Sequence, residues 1–350
     1  MSGSTTTPSL IRWGIIGCGD VTEIKSGPAL QKASGSQLVA VMRRDGAKVA
    51  DYARRHGVPR WYDDARALVA DPEVDAVYVA TPPGAHLEGA LLAAAVGKPA
   101  YIEKPFARNT TECDAILTAF REARRPVFAA YYRRCLPRFS QVKALLAENA
   151  LGKITGIRLH LANPPAHISD VNNPPWRLDA ANAGAGLFLD LGSHALDLLD
   201  HLFGPLEKIR GHAANLATPL PIEDSVAMTF ATASGAQGSA SWNFASAISA
   251  DEVAIEGTAG KLTFSVFGND PIRLETREGV RTFDRPNPAH VQQPLIQTVV
   301  DALLGRGECP STGESARRTS AVMDAVLDSY YGGRADAFWS RADSWPGRRR

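Results

Sequence analysis

An apolar run from Ile11 to Ile16 ends in Gly17-Cys18-Gly19 and gives way at once to a segment able to open a helix. This order constrains the chain most, because strand, glycine turn and helix in succession form the layout that binds dinucleotides. Glycines there permit a tight turn and let the backbone approach a pyrophosphate, while a helix start offers free N–H groups to the anion. The third glycine position of the pattern holds Thr22, so helix and strand are expected to pack less closely. Further strands are expected at Gln37 to Met42, Ala76 to Ala80 and Ala100 to Ile102, with helices at Ala47 to Arg55 and Asp64 to Ala70 between them. Alternating β and α segments predict a parallel, doubly wound sheet.

The second half changes character. Short alternating runs at Ile154 to Leu161, Ser225 to Thr232, Gln237 to Phe244, Glu252 to Glu256, Lys261 to Phe267 and Ile272 to Thr276 are joined by glycine turns. They predict a mostly antiparallel sheet with one face on helices. Helices are expected at Ala185 to Leu202, Val291 to Leu304 and Thr312 to Tyr331. The fold class is therefore α/β: an N-terminal Rossmann domain over residues 9–130, then an α+β domain with a large open sheet over 131–335. Residues 1–8 and 341–350 are expected to be disordered tails. An open sheet face carrying Trp242 and Phe244 would need cover.

Two short stretches carry chemistry. Glu103-Lys104-Pro105 follows a strand, and Gly184 to Asp197 reads GAGLFLDLGSHALD, with Asp190 and His194 four residues apart. On a helix that spacing puts carboxylate and imidazole on one face, and a lysine from elsewhere completes a proton-handling group. Asp190, His194, Asp197 and His201 also recur along one helical face, a spacing compatible with a divalent metal.

With both halves in view, the chain resembles the glucose-fructose oxidoreductase, inositol dehydrogenase and rhizopine-catabolism (Gfo/Idh/MocA) family of pyridine-nucleotide oxidoreductases. The resemblance rests on IIGCGDVT at 15–22, DAVYVATPPGAHLEGALLAAAVGKPAYIEKP at 75–105, AGAGLFLDLGSHALDLLDHLFG at 183–204 and EVAIEGTAGKLTF at 252–264. It implies that Lys104 reaches the nicotinamide and the reacting carbon, and that the bond to Pro105 is often cis. It also implies that the later polar residues of the Asp190 helix are not metal ligands, so no metal is expected, and that the open face of the C-terminal sheet builds a homodimer or homotetramer. A hydride moving at an alcohol carbon needs a proton moved on its oxygen, work suited to an imidazole. His194 is assigned as acid/base, Lys104 as the group polarising the oxygen and Asp190 as the group orienting them; exchanging Lys104 and His194 is equally defensible.

Cofactor choice turns on the end of the second strand, Val41-Met42-Arg43-Arg44-Asp45. Relatives that use NAD place an acid there to accept from the ribose hydroxyls. Arg43 instead suits a 2′-phosphate, so NADP(H) is favoured over NAD(H), although Asp45 remains a possible ribose acceptor. Gly17, Cys18, Gly19, Asp20, Val21, Arg43, Arg44, Thr81, Pro82, His86, Glu103 and Lys104 are the expected cofactor neighbours. Tyr132, Arg133, Asn163, Trp176 and Arg177, with Tyr131, Arg134 and His167 near them, are the expected substrate contacts, since hydroxyl-rich ligands call for mixed donors and aromatic faces. The substrate expected is carbohydrate-like: a sugar, polyol, or related ketone or dihydrodiol. A non-catalytic nucleotide-sensing or partner-binding protein on the same fold is the alternative.

Bulk properties set bounds. The chain has 350 residues and a formal charge of +1, which gives no reason to expect nucleic-acid or membrane partners. Four cysteines without C-x-x-C spacing indicate neither zinc ribbon nor disulfide framework. Met1 to Ser9 lacks the basic and apolar regions of a signal peptide, and no apolar run is long enough to span a membrane, so a cytoplasmic location is expected.

Overall fold

The computed structural model describes residues 9–348, and the chain divides into two compact units. The first comprises the residues up to 106 with 112–135 and 288–316; the second comprises 107–111, 136–287 and the residues from 317 onward. The chain thus changes unit at 135/136 rather than 130/131. Residues 288–316, assigned from sequence to the second domain, pack in the first. Expected disorder of residues 1–8 falls outside the described residues.

The first unit is a six-stranded sheet of β1 (Ile11–Ile16), β2 (Ser36–Met42), β3 (Arg60–Tyr62), β4 (Ala76–Val79), β5 (Ala100–Ile102) and β6 (Val127–Ala129). Every pairing is parallel, in the order β3-β2-β1-β4-β5-β6. Strand order reverses between β1 and β4, and in open α/β sheets the crevice at that point is where ligands bind. The helices are α1 (Asp20–Ile24), α2 (Gly27–Lys32), α3 (Gly46–His56), α4 (Ala65–Ala70), α5 (His86–Ala95) and α6 (Thr110–Glu122). Asp45 caps α3 and Asp64 caps α4, each carboxylate accepting a backbone N–H of the first turn. Strands β1, β4 and β5 are buried along most of their length, which is why they read as continuous apolar runs.

In the second unit an eight-stranded sheet runs β14-β13-β12-β11-β7-β10-β9-β8. Its strands are β7 (Ile154–Ala162), β8 (Leu206–Ala214), β9 (Ser225–Thr232), β10 (Gln237–Asn243), β11 (Ala250–Gly257), β12 (Gly260–Phe264), β13 (Ile272–Thr276) and β14 (Gly279–Phe283). The pairings are antiparallel except for β7 with β10. Its helices are α7 (Pro137–Ala147), α8 (Ala180–Ala183) and α9 (Ser193–Phe203); α10 (Gln293–Leu303) belongs to the first unit, and α11 (Gly313–Tyr331) passes from one to the other.

Trp242 and Phe244 are not on an open face. Side chains alternate along a strand, and Trp242 shares the inward side of β10 with Gly238 and Ala240. Its fully buried ring meets Phe188 edge-on at 4.8 Å, and Phe244 is buried too. The outward face is small and polar: Arg158 pairs with Glu256 at 2.7 Å, and His160 with Ser241 at 2.9 Å. The argument for a partner from these two aromatic residues therefore falls.

Residues 341–348 are structured where a disordered tail is expected. A 3-10 segment (Phe338–Ser344) leads to buried Trp345, whose Nε1 donates to the Phe338 carbonyl, and the two rings join Tyr331 in an aromatic cluster. Burying three aromatic rings outweighs the polar appearance of this tail. Among the described residues no helix is long and apolar enough to cross a membrane.

Candidate active site

The glycine turn leaves β1 at the switch point. Gly17 and Cys18 donate their N–H groups to the Met42 carbonyl at 2.9 and 3.1 Å, tying the turn to the end of β2. Gly17 has φ +89, and a Cβ there would lie 2.6 Å from Thr81 Cγ2, so glycine is required by conformation and by space. Around Gly19 a Cβ would meet nothing within 4 Å, leaving the turn open. Thr22, in place of the third glycine, is wholly buried; its hydroxyl donates to the Gly19 carbonyl at 2.8 Å and accepts the Gly19 N–H at 3.0 Å. Threonine thus locks the turn to α1, which opens with Asp20 and Val21. Burial pushes the Cys18 thiol up to about 11, which makes it small filler rather than a nucleophile.

Thr81 follows β4 across the crevice. Among the described residues its buried hydroxyl oxygen has no hydrogen-bond partner, an arrangement that a bound ligand would complete. Open space at Gly19, close approach at Gly17 and this hydroxyl fit a dinucleotide. At the end of β2, Arg43 and Arg44 are exposed, and Arg43 Nη1 lies 3.5 Å from the Cys18 carbonyl, back over the turn. Asp45 is committed elsewhere: one oxygen accepts the Lys48 N–H at 3.1 Å, and the other pairs with the Lys48 ammonium at 3.0 Å.

Two expected cofactor neighbours prove to be internal braces. His86 is fully buried, with Nδ1 3.0 Å from the Pro105 carbonyl and Nε2 2.8 Å from the Thr81 carbonyl. Burial pulls its pKa down, and a neutral imidazole carries one N–H, so it donates to one of the two at a time. It fastens the loop bearing Lys104 to the loop bearing Thr81 and Pro82. Glu103 is buried as well; it accepts from the Tyr78 hydroxyl at 2.5 Å, from Gln292 Nε2 at 2.6 Å and from the Lys104 N–H at 3.1 Å. Gln292 in turn accepts from the Tyr101 hydroxyl at 3.0 Å. Lys104 itself is half-buried, and its bond to Pro105 is cis. Tyr132 and Arg133 are buried in a 3-10 turn after β6, the guanidinium over the ring at 5.0 Å, and Arg134 donates to the Pro310 carbonyl at 3.0 Å.

In the second unit the GAGLFLDLGSH stretch does not form one helix. Gly184, at φ +91, ends α8, and residues Phe188–Gly192 make a π-helical turn that runs into α9. A Cβ on Gly192 would come within 2.4 Å of the Phe188 ring, so the wide turn closes on glycine. Asp190 lies in this turn and His194 in the first turn of α9, one half-buried and the other buried. Such insertions recur at functional sites because they re-aim side chains within a helix. Arg177 Nε lies 3.6 Å from Asp190 Oδ2, with its guanidinium over the Trp176 ring at 4.4 Å. The structure thus brings Trp176 and Arg177 to Asp190, while His167 is exposed in the preceding loop.

Beside them is a cavity of about 390 Å³ at one end of the sheet, lined by Leu161, Asn163, Leu191, Ser249, Ala250, Asp251 and Phe267. Phe267 also meets the His194 ring edge-on, with centroids 5.9 Å apart. Sequence reasoning placed Asn163 here but missed Phe267, which lies in a loop with no motif around it. It also missed Glu223, a buried carboxylate that accepts the Gly186 N–H at 3.0 Å and the Tyr331 hydroxyl, bracing the turn before Asp190. Asp197 and Asp200 face α11, toward Thr319 and Arg318 respectively, and among the described residues no three His, Cys, Asp or Glu side chains group as a metal site.

A family model described as an oxidoreductase family with an NAD-binding Rossmann fold matches residues 11–131, and a GFO/IDH/MocA C-terminal domain model matches 139–263. Oxidoreductase P35 of Formosa agariphila is 37% identical over 319 residues, covering 90% of this chain and 98% of its own. Trans-1,2-dihydrobenzene-1,2-diol dehydrogenase of Sus scrofa is 28% identical over 251 residues, 71% of this chain and 72% of its own. A solved levoglucosan dehydrogenase, in complex with NADH and levoglucosan, shares the fold with a TM-score of 0.81 at 22% identity, over 91% of this chain and 96% of its own. A dinucleotide turn at the switch point of one unit, Asp190 and His194 beside a cavity in the other, and family models spanning both lead to one conclusion: the chain belongs to the Gfo/Idh/MocA family of oxidoreductases.

Proposed function

We propose that the protein is an NADP(H)-dependent oxidoreductase that moves a hydride to or from the CH–OH or C=O carbon of a sugar, polyol, or related ketone or dihydrodiol. The observation that carries this reading is the commitment of Asp45 to capping α3 while Arg43 stays exposed at the end of β2. A ribose without phosphate would meet an Asp45 already engaged by Lys48, whereas a 2′-phosphate would find a guanidinium. Bound NADP(H) supplies or accepts the hydride. Gly17 to Val21 and Thr81 hold its phosphates and nicotinamide half, Arg43 and Arg44 its 2′-phosphate, and Pro82, His86 and Glu103 shape the loops around it.

On the substrate oxygen, His194 takes or gives the proton, and Lys104 polarises the C–O bond by its positive charge. Asp190 orients the pair, itself steadied by Arg177. Asn163, Trp176, Tyr132 and Arg133 contribute donors and aromatic faces to the substrate. Relatives named for a dihydrodiol and for levoglucosan support this substrate range. A homodimer or homotetramer is part of the proposal, its contact face the polar outward side of the second sheet; sedimentation velocity checks it.

The test is a calorimetric titration of nucleotide-free protein with NADP⁺ and NAD⁺, followed by the same titration of Lys104→Ala. We expect preference for NADP⁺, affinity retained in Lys104→Ala, and turnover nearly abolished in that variant. Preference for NAD⁺ overturns the Arg43 assignment, and normal turnover in Lys104→Ala overturns the catalytic one.

A further inference from the structure

The loop after β12 is held more firmly than a surface connection requires. Asp251, from β11, accepts the N–H groups of Val266, Phe267 and Gly268 at 2.8, 2.6 and 2.9 Å. Arg138, a buried residue of α7, donates to Ser265 Oγ and the Asp270 carbonyl, each at 3.1 Å, and to the Gly268 carbonyl. A carboxylate on one side and a guanidinium on the other thus fix five of the six residues from 265 to 270 through charge-assisted bonds. What the loop presents is a half-buried phenyl ring, edge-on to His194 and forming one wall of the cavity beside it. Leu161, Leu191 and Ala250 continue that apolar wall, with Asn163 and Ser249 as its polar contributors. Asp251 accepts three N–H groups and so serves as a brace for the loop.

We propose that Phe267 is a specificity-determining residue: its ring, with Leu161, Leu191 and Ala250, receives the unreactive carbon face of the substrate, so that the protein favours sparsely hydroxylated rings over fully hydroxylated ones. The reasoning rests on the proposed role of His194 at the reacting carbon. A wall of this kind gains from burying CH groups, whereas extra hydroxyls placed against it lose their water without finding partners. Pockets of this size and lining orient a small ligand by a few polar groups and hold it by apolar contact.

The test uses two carbocycles of the same ring size, trans-cyclohexane-1,2-diol and myo-inositol. Binding is followed by saturation-transfer NMR with and without excess NADP⁺, and turnover by NADPH absorbance. We expect the cyclohexane diol to bind at least about tenfold more tightly than inositol, Phe267→Ala to remove that preference mainly through KM, and Phe267→Leu to restore most of it. Equal binding of the two rings, or preference unchanged in Phe267→Ala, overturns the inference. Turnover that survives Lys104→Ala and His194→Ala would instead overturn the catalytic reading, and the binding preference distinguishes the two failures.

Discussion

Removing the Glu223 carboxylate should loosen the second unit and its catalytic turn together. Glu223 is about 1% exposed, its carboxylate accepts the Gly186 N–H and the Tyr331 hydroxyl, and a Cβ on Gly186 would lie 3.0 Å from its Oε1. In Glu223→Ala both donors lose their acceptor, at about 1–3 kcal/mol each, and a cavity is left behind, so the total cost is about 4 kcal/mol. For a unit of this size that lowers Tm by roughly 10 °C. Glu223→Gln keeps the shape and tests the charge. Burial raises the Glu223 carboxyl above its ordinary value of 4.5, against the opposing pull of Tyr331, Gly186 and Arg334. Between 4.5 and the raised value the folded protein binds more protons than the unfolded chain, so wild-type stability falls as pH rises through that window. Glutamine has no such titration. Scanning calorimetry from pH 4.5 to 8 should therefore show wild type losing ground to Glu223→Gln as pH rises, with kcat depressed in the alanine variant and recovered in the glutamine one. A pH-independent difference, or an alanine variant within about 1 kcal/mol of wild type, would refute the reasoning.

Gly17→Ala places a Cβ 2.6 Å from Thr81 Cγ2 at φ +89. Strain of about 1–3 kcal/mol should weaken NADP⁺ binding in calorimetry while circular dichroism stays unchanged. Glu23, held at about 2 by bidentate bonds from Arg55 and by His56, contributes stability above its ordinary 4.5 that is lost as pH falls toward 2. After discounting for partial exposure this is about 1 kcal/mol, and the acid limb of Tm against pH should flatten in Glu23→Gln. His86, whose pKa burial lowers, stays neutral in the fold while the unfolded chain protonates below 6.5, so stability should decline as pH falls below that value; Tm of His86→Gln between pH 7 and 5 should lack this decline.

Local patterns gave correct accounts where the physics is local. The β9 range Ser225–Thr232 and the β13 range Ile272–Thr276 were readable because alternation reports one buried face. β3 and β6, at three residues each, were too short to carry a period, and β8 and β14 are largely exposed. The helix expected from Ala185 to Leu202 failed at its start, because the apolar period runs through Phe188 and Leu189 whether the turn is α or π. The break there comes from the Gly192–Phe188 contact and the Glu223 brace.

By itself the sequence determined the dinucleotide turn, the α/β order of the first unit and the family, since each is written in contiguous residues, and it singled out Lys104, Asp190 and His194 as the residues to test. Tertiary structure decided what those residues touch. It spent Asp45 on a helix cap, turned His86 and Glu103 into braces, put Trp242 in the core rather than on an open face, and brought Arg177 to Asp190 and Phe267 to His194. These are pairings between distant segments, and their partners are fixed by packing and by the need to satisfy buried polar groups, neither of which leaves a local mark in the chain.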